Sequence, residues 1–509
     1  MTDISENNRR IAKNTILLYF RMIVTTIVSL ITARLMLQLL GIEDYGIYNV
    51  VGGIIGFMAI ITSTMTSATM RFLAYDLGRE DITQFSQTFS MLINIFGIFC
   101  LISTILMEFI GPYIIQFHLV IPSERLFAAQ CIFQFTILTF ILSTMAIPFT
   151  AAVVSYERMD IYAYFTYLDV FFKLLAVVVL YITPIDKLIT YGTITLLMSI
   201  ATNTIIYFYC FKKFEGCKYI KIWDIPLLKK ISSYAGWNMF GSVTTVMNSQ
   251  GQAILLNVFF GPIINAAKAI ADKVNQITYS FCQNFFMAVN PQLIKSYAVG
   301  DLEYTKKLLI KSSKISFFLY SIIAIPLIFN MEFILKLWLG AEQVSISMIY
   351  FCQLTLLMSF SSSLESPITQ TVRATGNIKK YQIVIGLQTL TFIPICYIAF
   401  KCGANAFFSM IILCIIYWIT LVSRVFFLVK ILPITIKEYL HYVILPTIGI
   451  LVITSSIILL LNNIPIIENQ QFIKLLYSPI IVLIIVYCLG LSTSEKKYII
   501  NQINQKIRH

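Results

Sequence analysis

Pro148-Phe149-Thr150-Ala151-Ala152-Val153 returns, loosely, as Pro367-Ile368-Thr369-Gln370-Thr371-Val372, 219 residues further along the chain. Each copy closes an apolar run long enough to cross a bilayer. A tyrosine follows each at the same distance, Tyr162 after the first and Tyr381 after the second. Gly41 pairs with Gly261, and Gly78 with Gly300, at nearly the same spacing. Their agreement in order and offset divides the chain into two halves of six apolar runs each. Six is even, so both halves cross the membrane in the same sense, related by a pseudo-two-fold axis along the membrane normal.

Composition dictates the solvent. Of 509 residues, 58% are hydrophobic and 12% are charged, against about 25% charged in a soluble domain. Such a chain cannot cover a globule with polar groups, so most of its surface faces lipid. A span needs roughly 20 apolar residues. Fourteen runs qualify: 15–39, 46–70, 88–110, 126–152, 161–182, 188–210, 235–260, 264–291, 315–338, 343–370, 381–400, 404–428, 441–461 and 473–491. The expected fold is an all-α polytopic membrane protein with about 14 transmembrane helices. Its expected parts are an N-terminal six-helix bundle (1–212), a cytoplasmic linker (213–233), a C-terminal six-helix bundle (234–430), and two added helices with a tail (431–509). The first apolar run lacks a small-residue cleavage site and is expected to stay in the mature protein.

The net charge of +13 could suggest nucleic acid, but its placement reads as membrane orientation. With the N-terminus in the cytoplasm, 27 of the 37 Lys and Arg residues fall in inner segments and five in outer ones. This positive-inside asymmetry sets both termini in the cytoplasm. The outer loops are all short, which weighs against a membrane glycosyltransferase or polymerase. Ten cysteines are scattered with no CxxC pair, and there are only three histidines, so neither a metal site nor a disulfide framework is expected. The chain carries no P-loop and no recognisable nucleophile–base arrangement.

Polar groups inside a span are costly and should face protein or water. In the run 264–291, Asn265, Lys268, Asp272, Gln276, Tyr279, Gln283 and Asn290 share an arc of about 80° at helical periodicity. The run 235–260 has a stripe of Asn238, Ser242, Thr245, Ser249 and Gln252. The second run has Tyr45, Asn49, Gly52, Gly56, Ala59, Ser63 and Ser67, and the first has Asn14, Arg21, Thr25, Ser29 and Thr32. Helix–helix packing through small and hydroxyl residues accounts for part of this. Lys, Asp and two Gln on one face exceed packing needs and predict a wet central cavity.

Arg21 stands on the first stripe, about 10 Å in from the cytoplasmic end. Arg34 lies elsewhere around the same helix, where it can snorkel outward. Lys268 and Asp272 have i,i+4 spacing and neutralise each other, leaving Lys273 as a net cation. Asp169 and Lys173 have the same spacing and read as a structural pair. Glu365 is a candidate proton or cation site. A positive cavity favours an anion, and arginine offers it planar bidentate hydrogen bonds.

Two segments carry a family resemblance: Leu40-Gly41-Ile42-Glu43-Asp44-Tyr45-Gly46-Ile47-Tyr48, and Arg71-Phe72-Leu73-Ala74-Tyr75 with Gly78. They resemble the Wzx-type polysaccharide flippases of the multidrug/oligosaccharidyl-lipid/polysaccharide exporter superfamily, along essentially the whole chain. The resemblance implies a bacterial inner-membrane flippase for undecaprenyl-diphosphate-linked oligosaccharide units of O-antigen or capsule, working by alternating access. It implies a lipid-linked oligosaccharide as substrate, the bilayer and a polysaccharide polymerase and chain-length proteins as partners, and no nucleic acid. It implies no cofactor, with coupling to a Na+ or H+ gradient through Asp272 compatible. The head-group contacts it maps are Arg21, Arg34, Lys268 and Lys273. The cavity lining expected from the stripes is Asn49, Asn238, Thr245, Gln252, Asn265, Asp272, Gln276, Tyr279 and Gln283. The rival on the same fold is a cation-coupled multidrug exporter.

Overall fold

The computed structural model describes residues 2–56, 58–117, 121–340, 342, 344–463, 470–490 and 496. Every regular element among them is a helix. The first half contains α1 (Thr2–Gly56), α2 (Met58–Gly78), α3 (Ile82–Phe117), α4 (Leu126–Met145), α5 (Ile147–Ser155), α6 (Met159–Ile182) and α7 (Lys187–Lys213). The long α8 (Ile225–Val299) follows. Then come α9 (Leu302–Phe329), α10 (Met331–Leu339), α11 (Ile346–Thr375), α12 (Lys379–Leu390), α13 (Phe392–Lys401) and α14 (Phe408–Val429). The last elements are α15 (Ile436–Tyr439), α16 (Leu445–Asn462) and α17 (Gln471–Ile485).

Among the described residues, 11 helices are long and apolar enough to cross a membrane. They coincide with 11 of the expected runs. The other three runs, 46–70, 235–260 and 264–291, lie in α1, α2 and α8 and hold three of the four polar stripes. The expected boundaries between 39 and 46 and between 260 and 264 are present as glycine breaks in the helical path, inside the ranges given as α1 and α8. α1 turns at Gly41 (φ 79°, ψ 169°) and α8 at Gly261 (φ 81°, ψ −178°). That backbone region is open essentially to glycine alone. One glycine therefore does in each half what a proline or a polar turn would otherwise do.

The repeat reaches further into the backbone than the sequence pairs indicate. Asp81 Oδ1 accepts from Gln84 N at 2.8 Å at the start of α3, and Asp301 Oδ1 accepts from Tyr304 N at 2.9 Å at the start of α9. The left-handed Gly300 (φ 85°) has its counterpart in Glu80 (φ 57°), and Gly376 (φ 78°) has Glu157 (φ 61°). The pairing of Gly78 with Gly300 is thus corrected: Gly78 is helical and serves close approach. A Cβ there would stand 2.7 Å from Lys295 Cα.

The chain forms two compact units, one of residues 1–242 with 294–299, the other of residues 243–293 with 300–509. In the first unit, α1 packs on α6 and α4, α4 on α7 and α3, and α2 on α5. One end of it is stapled by Arg125, which bonds Asp44 of α1 at 2.9 Å and also Asp186. Asp186 caps α7 through Leu188 N and Ile189 N at 3.0 and 3.1 Å. In the second unit, α11 lies against α9 and α14, and α16 and α17 pack on α9. The tail from 491 onward, Lys496 apart, lies outside the described residues.

Candidate functional site

Arg21 projects from α1 toward α6. Its guanidinium lies over the Tyr162 ring at 4.7 Å, and Nη1 donates to Thr166 Oγ1 at 3.5 Å. Tyr162 and Thr166 stand one turn apart, so one face of α6 presents both. They border a cavity of about 570 Å³ within the first unit. α1 contributes Ser29 and Thr32, and α4 contributes Thr139 and Ser143. Thr150 of the repeated Pro148 segment is part of the wall, as are Thr195, Ser199, Thr202 and Asn203 of α7. Tyr48 and Tyr191 meet edge to face at 4.8 Å on the same wall.

Helix propensity alone does not explain so many hydroxyls, but helix geometry explains what they offer. Thr32, Thr150, Thr166, Thr195 and Thr202 each donate to a carbonyl three or four residues earlier, at 2.8–3.2 Å. The donor proton is then used, and the oxygen lone pairs are what remains to meet a ligand. The wall is therefore rich in acceptors, with charge at two places. One is just behind it, where Arg21 lies against the lining residues Tyr162 and Thr166. The other is the Asp169–Lys173 pair, bonded at 2.9 Å with both side chains about half exposed. The sequence reading made that pair structural; it lies on the cavity wall.

The second unit repeats the platform with different parts. Arg424 of α14 lies over Tyr381, the repeat counterpart of Tyr162, at 5.6 Å, and also bonds its hydroxyl. Arg424 Nη1 donates to Thr369 Oγ1, the counterpart of Thr150, at 2.8 Å. Glu365 closes the cluster, 3.2 Å from Arg424 and accepting from Thr420 at 3.1 Å. Glu365, a candidate proton or cation site by sequence, is an arginine-paired carboxylate. Arg424 is within α14 and nearly buried. At the position equivalent to Glu365 the first half has Ala146.

The α8 stripes divide by what each residue meets. Asn238 is buried and donates to the Thr64 carbonyl at 3.3 Å inside the first unit. Gln252 is buried and donates to Ser409 Oγ at 3.2 Å. Tyr279 donates to the Ser362 carbonyl at 3.1 Å and packs edge-on against Tyr320. Thr245, Asp272, Lys273, Gln276 and Gln283 are exposed. Lys268 is buried and bonds Asp272, as its spacing predicts. Lys273 Nζ approaches Gln276 Oε1 at 3.4 Å. The side chains of Arg34, Asn49 and Asn265, with most of the Tyr45–Ala59 stripe, lie outside the described residues.

A third charged cluster gathers Arg10, Glu157 and Lys295 in the first unit. The Glu157 carboxylate, 1% exposed, bonds Arg10 and Lys295 at 2.7 Å each, and Asn14 Nδ2 donates to its carbonyl at 3.2 Å. Burial pulls the Lys295 ammonium below its usual range, and Glu157 opposes that shift. Nearby, Arg71 of the family-like segment lies over Phe72 and Tyr75 at 4.7 Å and over Tyr234 at 5.7 Å. Among the described residues, no group of three or more His, Cys, Asp or Glu is placed to hold a metal ion.

The sequence matches no protein-family model and no curated protein. Solved structures do match. A MATE transporter in complex with MaL6 superposes with a TM-score of 0.71 at 12% identity, over 84% of this chain and 96% of that one. An outward-facing multidrug resistance MATE family transporter of the MOP superfamily gives 0.70 at 12% identity, with the same coverage of 84% and 96%. A MOP superfamily transporter from Pyrococcus furiosus, whose binding pocket of reverse polarity is held to suggest a different function, gives 0.69 at 12%, again over 84% and 96%. By its backbone, this chain has the fold of the MATE and MOP superfamily transporters.

Proposed function

We propose that the protein is a flippase that moves an undecaprenyl-diphosphate-linked oligosaccharide repeat unit from the cytoplasmic to the periplasmic leaflet, for surface polysaccharide synthesis. The observation that carries this reading is the first-unit cavity with Arg21 and Tyr162 at its border. Its volume, about 570 Å³, falls in the usual range for ligand sites, about 300–1,000 Å³. A guanidinium backed by a ring suits a diphosphate. Hydroxyl oxygens with their protons already used accept hydrogen bonds from sugar hydroxyls. The proposal keeps Lys268 and Lys273 as further cations on α8, with Lys268 already shared with Asp272. Gly41 and Gly261 are the hinges it assigns to alternating access, and a polymerase and chain-length proteins are its partners downstream.

Titration of the purified protein tests the site. A short-chain polyprenyl diphosphate bearing an oligosaccharide should stabilise it against heat, and Arg21→Gln should weaken binding about 10- to 100-fold, the value of one charge-assisted hydrogen bond or two. Unchanged binding in Arg21→Gln would remove Arg21 from the site. The second reading is a multidrug exporter, favoured by the solved transporters that share the fold and by Asp169 among acceptor oxygens. Stabilisation by organic cations, with none from the diphosphate, would select it.

A further inference from the structure

Residues 214–224 leave α7 and return along α3 as a strap. Ile220 N donates to Ser90 Oγ at 2.9 Å, Asn94 Nδ2 donates to the Ile222 carbonyl at 3.0 Å, and the Tyr219 hydroxyl donates to Asn94 Oδ1 at 3.0 Å. Earlier in the strap, Gly216 lies against the Phe85 ring, and Phe214 stacks on Tyr156 at 4.2 Å. An irregular segment must find partners for its backbone groups. Side chains of α3 supply them, so the strap is fixed on the helix.

Its depth follows from α3. Ser90 and Asn94 stand about 12 and 18 Å along the helix from Ile82, at 1.5 Å per residue. After Ile82 at its first residue, α3 exposes no large apolar side chain until one turn beyond Asn94, where Ile98 is 44% and Leu101 62% exposed. The strap therefore ends at the level where water gives way to acyl chains. There it exposes Tyr219, Ile220 and Trp223, each about half open. Exposed Lys218 and Lys221 are interleaved with them, Lys212 and Lys213 close α7, and Lys229 and Lys230 are exposed near the start of α8. Of the two acids in the segment, Asp224 is used as a cap, accepting from Leu227 N at 3.0 Å. Aromatic rings settle at the headgroup level, and clustered lysines beside them attract anionic lipid.

We propose that the strap is a binding surface for anionic phospholipid headgroups of the cytoplasmic leaflet. Lys218 and Lys221 hold the phosphates, and Ile220 and Trp223 sit at the top of the acyl chains. This is independent of what the cavity carries.

The test uses the full chain in a neutral detergent, titrated with phosphatidylglycerol or phosphatidylcholine and followed by thermal unfolding. Phosphatidylglycerol should stabilise the wild type more than phosphatidylcholine. K218Q/K221Q should need about 30-fold more phosphatidylglycerol for the same shift, at about 1 kcal/mol per lysine. K307Q/K380Q, which removes two exposed lysines from the second unit, should titrate as wild type. Three results would overturn the proposal: a full shift retained in K218Q/K221Q, an equal loss in both double variants, or the same stabilisation from inorganic phosphate.

Discussion

Glu157 holds a left-handed backbone, φ 61°, which costs a residue with a Cβ about 1–2 kcal/mol. Its counterpart 219 residues on is Gly376, the residue that this conformation favours. What offsets the strain is the carboxylate, enclosed between Arg10 and Lys295. Arg10 is nearly half exposed and contributes little. Lys295 is largely buried, and breaking a buried pair costs about 3–5 kcal/mol. Glu157→Ala keeps the strain and loses the pairs; Glu157→Gly loses the pairs but relieves the strain. Both should unfold at lower temperature than wild type, with Glu157→Gly the more stable by about 1 kcal/mol. Thermal unfolding in detergent measures the order, and a Glu157→Gly protein more stable than wild type would show that the ion pairs contribute less than the backbone strain costs. None of this was legible in the sequence. Glu157 and Gly376 share no chemistry, and matching letters pair Gly78 with Gly300 where Glu80 takes the equivalent conformation. Backbone dihedrals are repeated more faithfully here than residue types are.

At the scale of elements, apolar length was legible, and so were the places of the breaks at Gly41 and Gly261. Eleven runs named from hydropathy coincide with helices long and apolar enough to span, because burial in lipid leaves a continuous signal. The joints in α1 and α8 left a weaker one, a single glycine each. At φ near 80° and ψ near 180°, alanine at either joint should cost about 1–3 kcal/mol. Among the described residues no neighbour lies within 4 Å of a Cβ at Gly41 or Gly261, so the cost is one of backbone conformation rather than of packing. Gly41→Ala and Gly261→Ala should therefore lower the unfolding temperature by similar amounts, checked by the same melt; a neutral change at both would mean that the joints straighten freely. The α8 stripes were legible as faces and not as surroundings. Periodicity of about 100° per residue gathers Asn238, Gln252 and Tyr279 with Thr245, Gln276 and Gln283. It cannot tell that the first three are spent on helix contacts while the others stay exposed.

Across the whole molecule, one repeated platform is built in two ways. Tyr162 and Tyr381 each back a guanidinium, but Arg21 comes from α1 and Arg424 from α14. In the second unit Glu365 occupies the guanidinium; in the first unit the equivalent position is Ala146, and a hydroxyl-lined cavity adjoins the platform. Sequence reading named Arg21 and missed most of the wall. Threonines and serines of α4 to α7 look like ordinary membrane-helix residues, and only their convergence in space sets them apart. The central claim is that this cavity receives the anionic head of a lipid-linked oligosaccharide. Its most direct test is translocation in proteoliposomes of a polyprenyl-diphosphate-linked oligosaccharide, read as the fraction that becomes accessible to a glycosidase in the opposite compartment. Wild type should move it, and Arg21→Gln, with an unchanged melt, should be slower by at least about 10-fold, roughly one charge-assisted hydrogen bond. Equal rates in the two proteins, or a wild type that leaves the oligosaccharide in place while moving an organic cation, would contradict the account.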